Sequence, residues 1–250
     1  MVKMIMHGCG GAMGQVITGL AAEDESIEIV AGIDLHPAKD SGYPVFESLD
    51  QCNVKADVIV DFSSAKAVDG LLKYCSETGM PVVLCTTGLS EAQLETLKRA
   101  SAAVLRSANM SLGVNLLLKL VKDAAKVLAG SGFDIEIVEK HHNQKMDAPS
   151  GTAIALADSI NQAMDEPYGY IYDRSTRREK RHASEIGISA VRGGSIVGEH
   201  DVIFAGRDEV VTFSHTAYSK AIFAKGALEA AKFLAGKGPG LYTMADVVKL

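Results

Sequence analysis

The chain has 250 residues, enough for one large domain or two modest ones around a real core. Apolar residues make up 47% and charged residues 22%, the balance of an ordinary soluble globular protein. The formal net charge of -6 argues against nucleic acid or an anionic membrane as partner, so an anionic substrate would have to meet positive charge that is local. The four cysteines, Cys9, Cys52, Cys75 and Cys85, make neither a CxxC pair nor a zinc spacing. Reduced thiols in a cytoplasmic protein are the expectation. Cys85, set among apolar residues, reads as packing rather than as a nucleophile. Residues 2–6 read as a first strand rather than a cleavable leader, and no apolar run approaches the ~20 residues of a membrane helix.

In chain order, apolar runs at 2–6, 27–33, 58–60, 81–85 and 104–107 alternate with helical stretches, the first at 13–22. This alternation predicts βαβ units and a parallel sheet. Ser90 followed by Gln93 is a capping-box signal for a helix after the fourth run. The second half differs. Residues 114–128 predict an amphipathic helix with Leu117, Leu120, Ala124 and Leu128 on one face. A strand follows at 133–140, then a helix at 151–164 with Ala153, Ala157, Ile160 and Met164 in register. Strands are expected at 186–192, 202–205 and 210–215, the last two joined by a hairpin turn over 206–209. A final helix is expected at 222–235, built on Phe223, Ala227, Ala230 and Leu234. The predicted fold is α/β: a Rossmann-type parallel sheet plus an α+β domain with a mixed sheet. The stretch 173–182, rich in Arg and Lys but diluted by Asp173 and Glu179, reads as a solvated loop.

Gly8, Cys9, Gly10, Gly11, Ala12, Met13 and Gly14 follow the first strand and open a helix, the context a dinucleotide turn requires. Gly8 permits the tight turn, and Gly10 lets backbone approach a pyrophosphate. The N–H groups opening the helix then bind it, helped by the helix dipole. The third glycine of the usual fingerprint falls on Met13, with Gly14 next to it, so the strict motif is not matched. Asp34 follows Gly14 by 20 residues at the end of the second strand, about the offset of an acid that binds the adenosine ribose. Such an acid repels a 2′-phosphate. Leu35 brings no guanidinium to offset it, and His36 and Lys39 are less well placed. Thr86, Thr87, Gly88 and the stretch Ser107, Ala108, Asn109, Met110 come after later strands, where open parallel sheets bind ligands.

The most unusual stretch is His141-His142-Asn143-Gln144-Lys145-Met146-Asp147-Ala148-Pro149-Ser150-Gly151-Thr152. Neighbours on a strand face opposite sides, so the two histidines should not do the same job. The helix opening at Gly151 and Thr152 is expected to present its first-turn N–H groups to a carboxylate, and Lys145 adds a full positive charge. A histidine beside such an anion site donates a proton near neutral pH. For His141 alone a satisfied structural histidine is the alternative; a metal site is a second, but no further His or carboxylate stands at ligand spacing.

These residues carry a resemblance. EKHHNQKMDAPSGTA at 139–153, GCGGAMG at 8–14, CTTG at 85–88, SANMSLGVN at 107–115, RGG at 192–194 and GEHDVIFAGRDE at 198–209 resemble, in order, the 4-hydroxy-tetrahydrodipicolinate (dihydrodipicolinate) reductase family. The resemblance spans essentially the whole chain. It implies a nicotinamide-dependent reductase of the diaminopimelate route to lysine. It also implies roles: His141 as acid/base, Lys145 as second donor, and His142, Gly151 and Thr152 on a dicarboxylate substrate. Gly8, Cys9, Gly10, Gly11, Ala12, Met13, Asp34, Cys85, Thr86, Thr87, Ser107, Ala108, Asn109 and Met110 would hold the cofactor. Residues 1–109 with 218–250 would form a discontinuous nucleotide domain. Residues 110–217 would carry the substrate site and the contacts of a homotetramer. Many members have Arg after the cofactor acid and Arg in the glycine turn, where this chain has Leu35 and Ala12. NADH is therefore the expected cofactor, with NADPH the second candidate. Other two-domain dehydrogenases would keep the glycine turn without the His-His-Lys segment, and a non-enzymatic NAD sensor would lose the proton donors.

Overall fold

The structure, a computed structural model, describes residues 1–36, 41–99 and 101–249; Lys39 lies outside the described residues. The chain divides into two compact units, Met1–Leu112 with Ala221–Lys249, and Gly113–Lys220.

The first unit is built on seven strands: β1 (Val2–His7), β2 (Ile27–Ile33), β3 (Val45–Phe46), β4 (Val58–Asp61), β5 (Val82–Leu84), β6 (Ala103–Leu105) and, from the returning chain, β12 (Gly240–Tyr242). Their order is β12-β6-β5-β4-β1-β2-β3, with every pairing parallel. The central strands are apolar on both faces, as a doubly covered sheet demands. Helices α1 (Ala12–Ala22) and α6 (Ala221–Leu234) pack on one face through Ile17, Ala227, Ala231 and Leu234. Helices α2 (Val68–Thr78) and α3 (Glu91–Lys98) pack on the other through Leu71, Leu72 and Leu97. The capping box at the start of α3 forms in both directions, Gln93 N–H to Ser90 Oγ and Ser90 N–H to Gln93 Oε1. Chain order reverses between β1 and β4, which opens a crevice at their carboxyl ends. A short helix, α7 (Met244–Val248), completes the unit.

The second unit holds a mixed five-stranded sheet: β7 (Asp134–His141), β8 (Gly169–Ile171), β9 (Glu185–Arg192), β10 (Gly198–Ala205) and β11 (Val210–Ala217), in the order β11-β10-β7-β9-β8. β10 and β11 form the expected hairpin, closed by Gly206 N–H to the Glu209 carbonyl. Helices α4 (Leu112–Leu128) and α5 (Gly151–Asn161) cover one face, against Ile135, Ile137, Ile186, Ile188, Val202 and Phe204. The buried stripe of α4 is Val114, Leu117, Val121 and Ala125, one position round from the expected one, and Leu120 is exposed. The helix is apolar on two adjoining stripes, so periodicity alone did not choose between them. α5 ends at Asn161, before Met164. The basic stretch 173–182 is anchored rather than simply solvated. Arg174 and Arg181 both bond Glu136, and Arg181 also reaches Asp134 and the carbonyl of Ile135. Among the described residues no helix is long and apolar enough to cross a membrane.

Candidate functional site

In the first unit the glycine turn sits at the crevice. Gly8 has φ +84°, a conformation that disfavours any side chain, and a Cβ there would lie 2.6 Å from the Phe62 carbonyl oxygen. A Cβ at Gly10 would collide with the carbonyl of His36, and one at Gly14 with the carbonyl of Gly8. Gly14 thus does the packing job of the third fingerprint glycine, one position later than usual, and Met13 packs against the core of the unit. Asp34 clasps the turn: its carboxylate accepts Gly10 N–H at 2.9 Å and His36 N–H at 2.8 Å. Gly11 is the N-cap of α1 and has no side chain to satisfy the first-turn N–H groups, which leaves those of Ala12 and Met13 as donors for an anion. Cys9 points into the core against Gly32, so only its backbone faces the turn. A cleft of about 520 Å³ opens here, bordered by Gly10, Asp34, Leu35, His36, Ser63 and Ser64.

Further along the crevice, Asp61 is fully buried, with Nδ1 of His7 2.8 Å away but out of hydrogen-bond alignment. One Asp61 oxygen accepts the Ser63 hydroxyl at 2.6 Å. The other, and the buried hydroxyl of Thr86, have no hydrogen-bond partner among the described residues. Burial, and then Asp61, raise the Cys85 thiol well above its ordinary pKa, so it is no nucleophile. Thr87 is exposed. The stretch Ser107 to Met110 follows β6. Asn109 Oδ1 accepts Ser111 N–H at 2.8 Å, and the Met110 carbonyl lies where a Cβ on Gly226 of α6 would be. Gly226 is a residue that sequence reading passed over. The cleft beside Gly10, the helix N–H groups at Ala12 and Met13 and the unpaired buried polar atoms of Asp61 and Thr86 at the strand ends fit a dinucleotide.

In the second unit, β7 alternates in burial, with Ile135, Ile137, Glu139 and His141 inward. His142 is the first residue past the strand and is half-buried. Glu139 is fully buried and collects four bonds. Arg192 donates two, at 2.8 and 2.7 Å, His141 Nδ1 donates at 2.6 Å, and Ser150 N–H donates at 3.0 Å. Burial alone would push the Glu139 carboxyl up, but Arg192, His141 and the Ser150 amide outweigh it and hold the group below its ordinary range. Ser150 is the N-cap of α5, its hydroxyl accepting Ala153 N–H at 3.1 Å, so Gly151 and Thr152 open the helix. His200 Nε2 lies 3.0 Å from the same hydroxyl, and its ring stands edge-on to His141 with centroids 5.2 Å apart. Burial, then His141, push His200 down to about 4, so it is neutral at working pH. Lys145 pairs with Asp147 at 2.8 Å rather than standing as an isolated charge, and this pair holds the Asp147 carboxyl low.

The structure therefore gathers His141, Gly151 and Thr152 at one strand end and helix start, with the Lys145 pair on the segment that joins them. In the sequence, Glu139, Arg192, Ser150 and His200 stand out only as parts of longer motifs. Glu139 was within reach of the period-2 rule, because two residues before His141 is the same face of the strand.

Residues 2–110 match the family described as "Dihydrodipicolinate reductase, N-terminus", and residues 113–248 match "Dihydrodipicolinate reductase, C-terminus". The 4-hydroxy-tetrahydrodipicolinate reductase of Caldanaerobacter subterraneus subsp. tengcongensis is 55% identical over 251 residues, covering 100% of this chain and 99% of that protein. That of Clostridium novyi is 49% identical over the same shares. A solved structure of a dihydrodipicolinate reductase from Paenisporosarcina sp. TG-14, with dipicolinate bound, superposes with a TM-score of 0.81 at 25% identity over 98% of each chain. With both halves matched, and with the crevice and the His141 cluster in place, the chain belongs to the dihydrodipicolinate reductase family, oxidoreductases with an amino-terminal nucleotide-binding domain that use NAD(P)H.

Proposed function

We propose that the chain reduces 4-hydroxy-tetrahydrodipicolinate to tetrahydrodipicolinate in diaminopimelate and lysine biosynthesis, with NADH preferred over NADPH. The net change consumes one hydride and one proton and releases one water. The observation that carries this reading is the His141 ring: Nδ1 is tied to Glu139, and the same carboxylate holds the amide of Ser150, which caps the helix that starts at Gly151 and Thr152. That arrangement suits a proton donor beside a carboxylate site.

Loss of the 4-hydroxyl as water leaves a conjugated imine in the ring; when bound, the dihydronicotinamide would supply a hydride to C4 at the far end of that system, and one proton then restores the imine. His141 delivers the proton from Nε2, and Lys145 is the second donor. The Gly151 and Thr152 N–H groups and the Thr152 hydroxyl hold one substrate carboxylate, and His142 steadies the substrate. The cofactor residues are Gly8, Cys9, Gly10, Gly11, Ala12 and Met13 at the pyrophosphate, Asp34 at the adenosine ribose, and Cys85, Thr86, Thr87 and Ser107 to Met110 towards the nicotinamide. The preference for NADH is supported by the Asp34 carboxylate and by the exposed, uncharged Leu35 beside it. Residues 1–109 with 218–250 serve the nucleotide, and residues 110–217 serve the substrate and subunit contacts.

A cytoplasmic homotetramer is the proposed assembly. It is supported by the mixed sheet, whose face away from α4 and α5 exposes Val191 beside the Lys140–Glu199 pair and Val210 at the other end of the hairpin. The test mixes the protein with NADH and the condensation product of pyruvate and aspartate semialdehyde. Dihydronicotinamide absorbance should fall. A flat trace beside normal NADH binding would contradict catalysis and favour a sensor.

A further inference from the structure

Glu139 is buried beyond the reach of water, and its surroundings contain only donors. Oε1 accepts from Arg192 Nη2 and the Ser150 amide, and Oε2 accepts from Arg192 Nη1 and His141 Nδ1. A buried carboxylate is unfavourable unless paired, and the bidentate Arg192 fork balances its charge. An ionised carboxylate is an acceptor only. Nδ1 of His141 must therefore carry a hydrogen in both the neutral and the charged ring. The proton that comes and goes is left to Nε2. Space beside that atom is kept by Gly198 on β10: a Cβ there would lie 3.1 Å from Nε2 and 3.4 Å from Cδ2.

We infer that Glu139 is the positioning residue of the reduction. Balanced by Arg192, it fixes His141 in the Nδ1–H tautomer with Nε2 as the proton-carrying atom. By holding the Ser150 amide with the same carboxylate, it also sets the ring against the start of the substrate-gripping helix. Gly198 is its counterpart on the neighbouring strand, keeping Nε2 unobstructed. The inference rests on the reading of His141 as the proton donor.

The test is the full chain with NADH and its substrate, in the parent and in Glu139→Gln, Gly198→Ala and His141→Gln. A glutamine amide donates to Nδ1 and favours the opposite tautomer, as a carboxamide does in place of the acid of a Ser-His-Asp triad. In Glu139→Gln, kcat should fall about 100- to 10,000-fold, while KM and NADH affinity change by less than about threefold. Imidazole 15N–1H spectra should show a protonated Nδ1 on His141 in the parent and in Gly198→Ala, and a protonated Nε2 in neutral Glu139→Gln. Gly198→Ala should lower kcat with the tautomer kept. If a folded Glu139→Gln keeps the parent kcat while His141→Gln loses it, the positioning role is overturned and the proton-donor reading stands. If His141→Gln keeps full activity, the proton-donor reading itself fails. Should Glu139→Gln not fold, the parent spectrum decides: Nδ1–H supports the role, and a neutral ring protonated at Nε2 overturns it.

Discussion

Asp34 accepts the Gly10 amide at 2.9 Å, so the acid proposed to meet the cofactor ribose is also the clasp that shapes the glycine turn. The two functions share one carboxylate, and Gly10 has no room for a side chain between Asp34 and the His36 carbonyl.

Gly10→Ala should therefore force the turn open without disturbing the sheet beneath it. NADH affinity should fall at least about tenfold, equivalent to ~1.4 kcal/mol, while the thermal midpoint moves little. Fluorescence titration with NADH measures this. An unchanged Kd would show that the turn does not carry the pyrophosphate.

Leu35 sits exposed next to Asp34, where a guanidinium would face an added 2′-phosphate. Leu35→Arg should raise kcat/KM for NADPH relative to NADH by about tenfold, the worth of one charge-assisted contact. The parent should favour NADH. A parent with higher kcat/KM for NADPH would refute the role given to Asp34 and Leu35.

His200 links pH to stability. Its folded pKa of about 4 lies below the ordinary 6.5 of the unfolded chain, because burial and His141 disfavour its charged form. Below pH 6.5 the unfolded chain binds a proton that the folded one refuses. The stability contribution is complete above 6.5 and is lost as pH falls towards 4, by on the order of 3 kcal/mol. His200→Gln keeps a partner for Ser150 and cannot titrate. Thermal midpoints of parent and variant should converge, or cross, on going from pH 7 to pH 4.5. Parallel pH profiles would rule out a neutral buried His200.

The longer elements were legible because burial imposes a period. β1, β2, α1 and α6 lie where apolar spacing put them, α5 starts where expected but stops at Asn161, and the Ser90–Gln93 box marked the start of α3. β3, β8 and β12 have two or three residues each, too few to show any period, and their pairing depends on neighbours distant in sequence. The face of α4 was decided by packing on β7 and β9, not by the helix's own pattern. At the site, residue types near His141 announced the chemistry. The bonds that organise it did not appear in the order of residues, since Arg192 and His200 reach Glu139 and Ser150 from other strands. Likewise Arg181 reads as a loop charge until Glu136 and Asp134 are seen beside it, with Gly187 leaving room for the Glu136 carboxylate.

The central claim is a hydride transfer to C4 of the substrate ring. NADH deuterated at the transferable position of nicotinamide C4, turned over with the pyruvate–aspartate semialdehyde condensation product, tests it directly. One deuterium at C4 of tetrahydrodipicolinate, seen by mass spectrometry and NMR, is the predicted result. Product without the label, or label at another ring carbon, would contradict it.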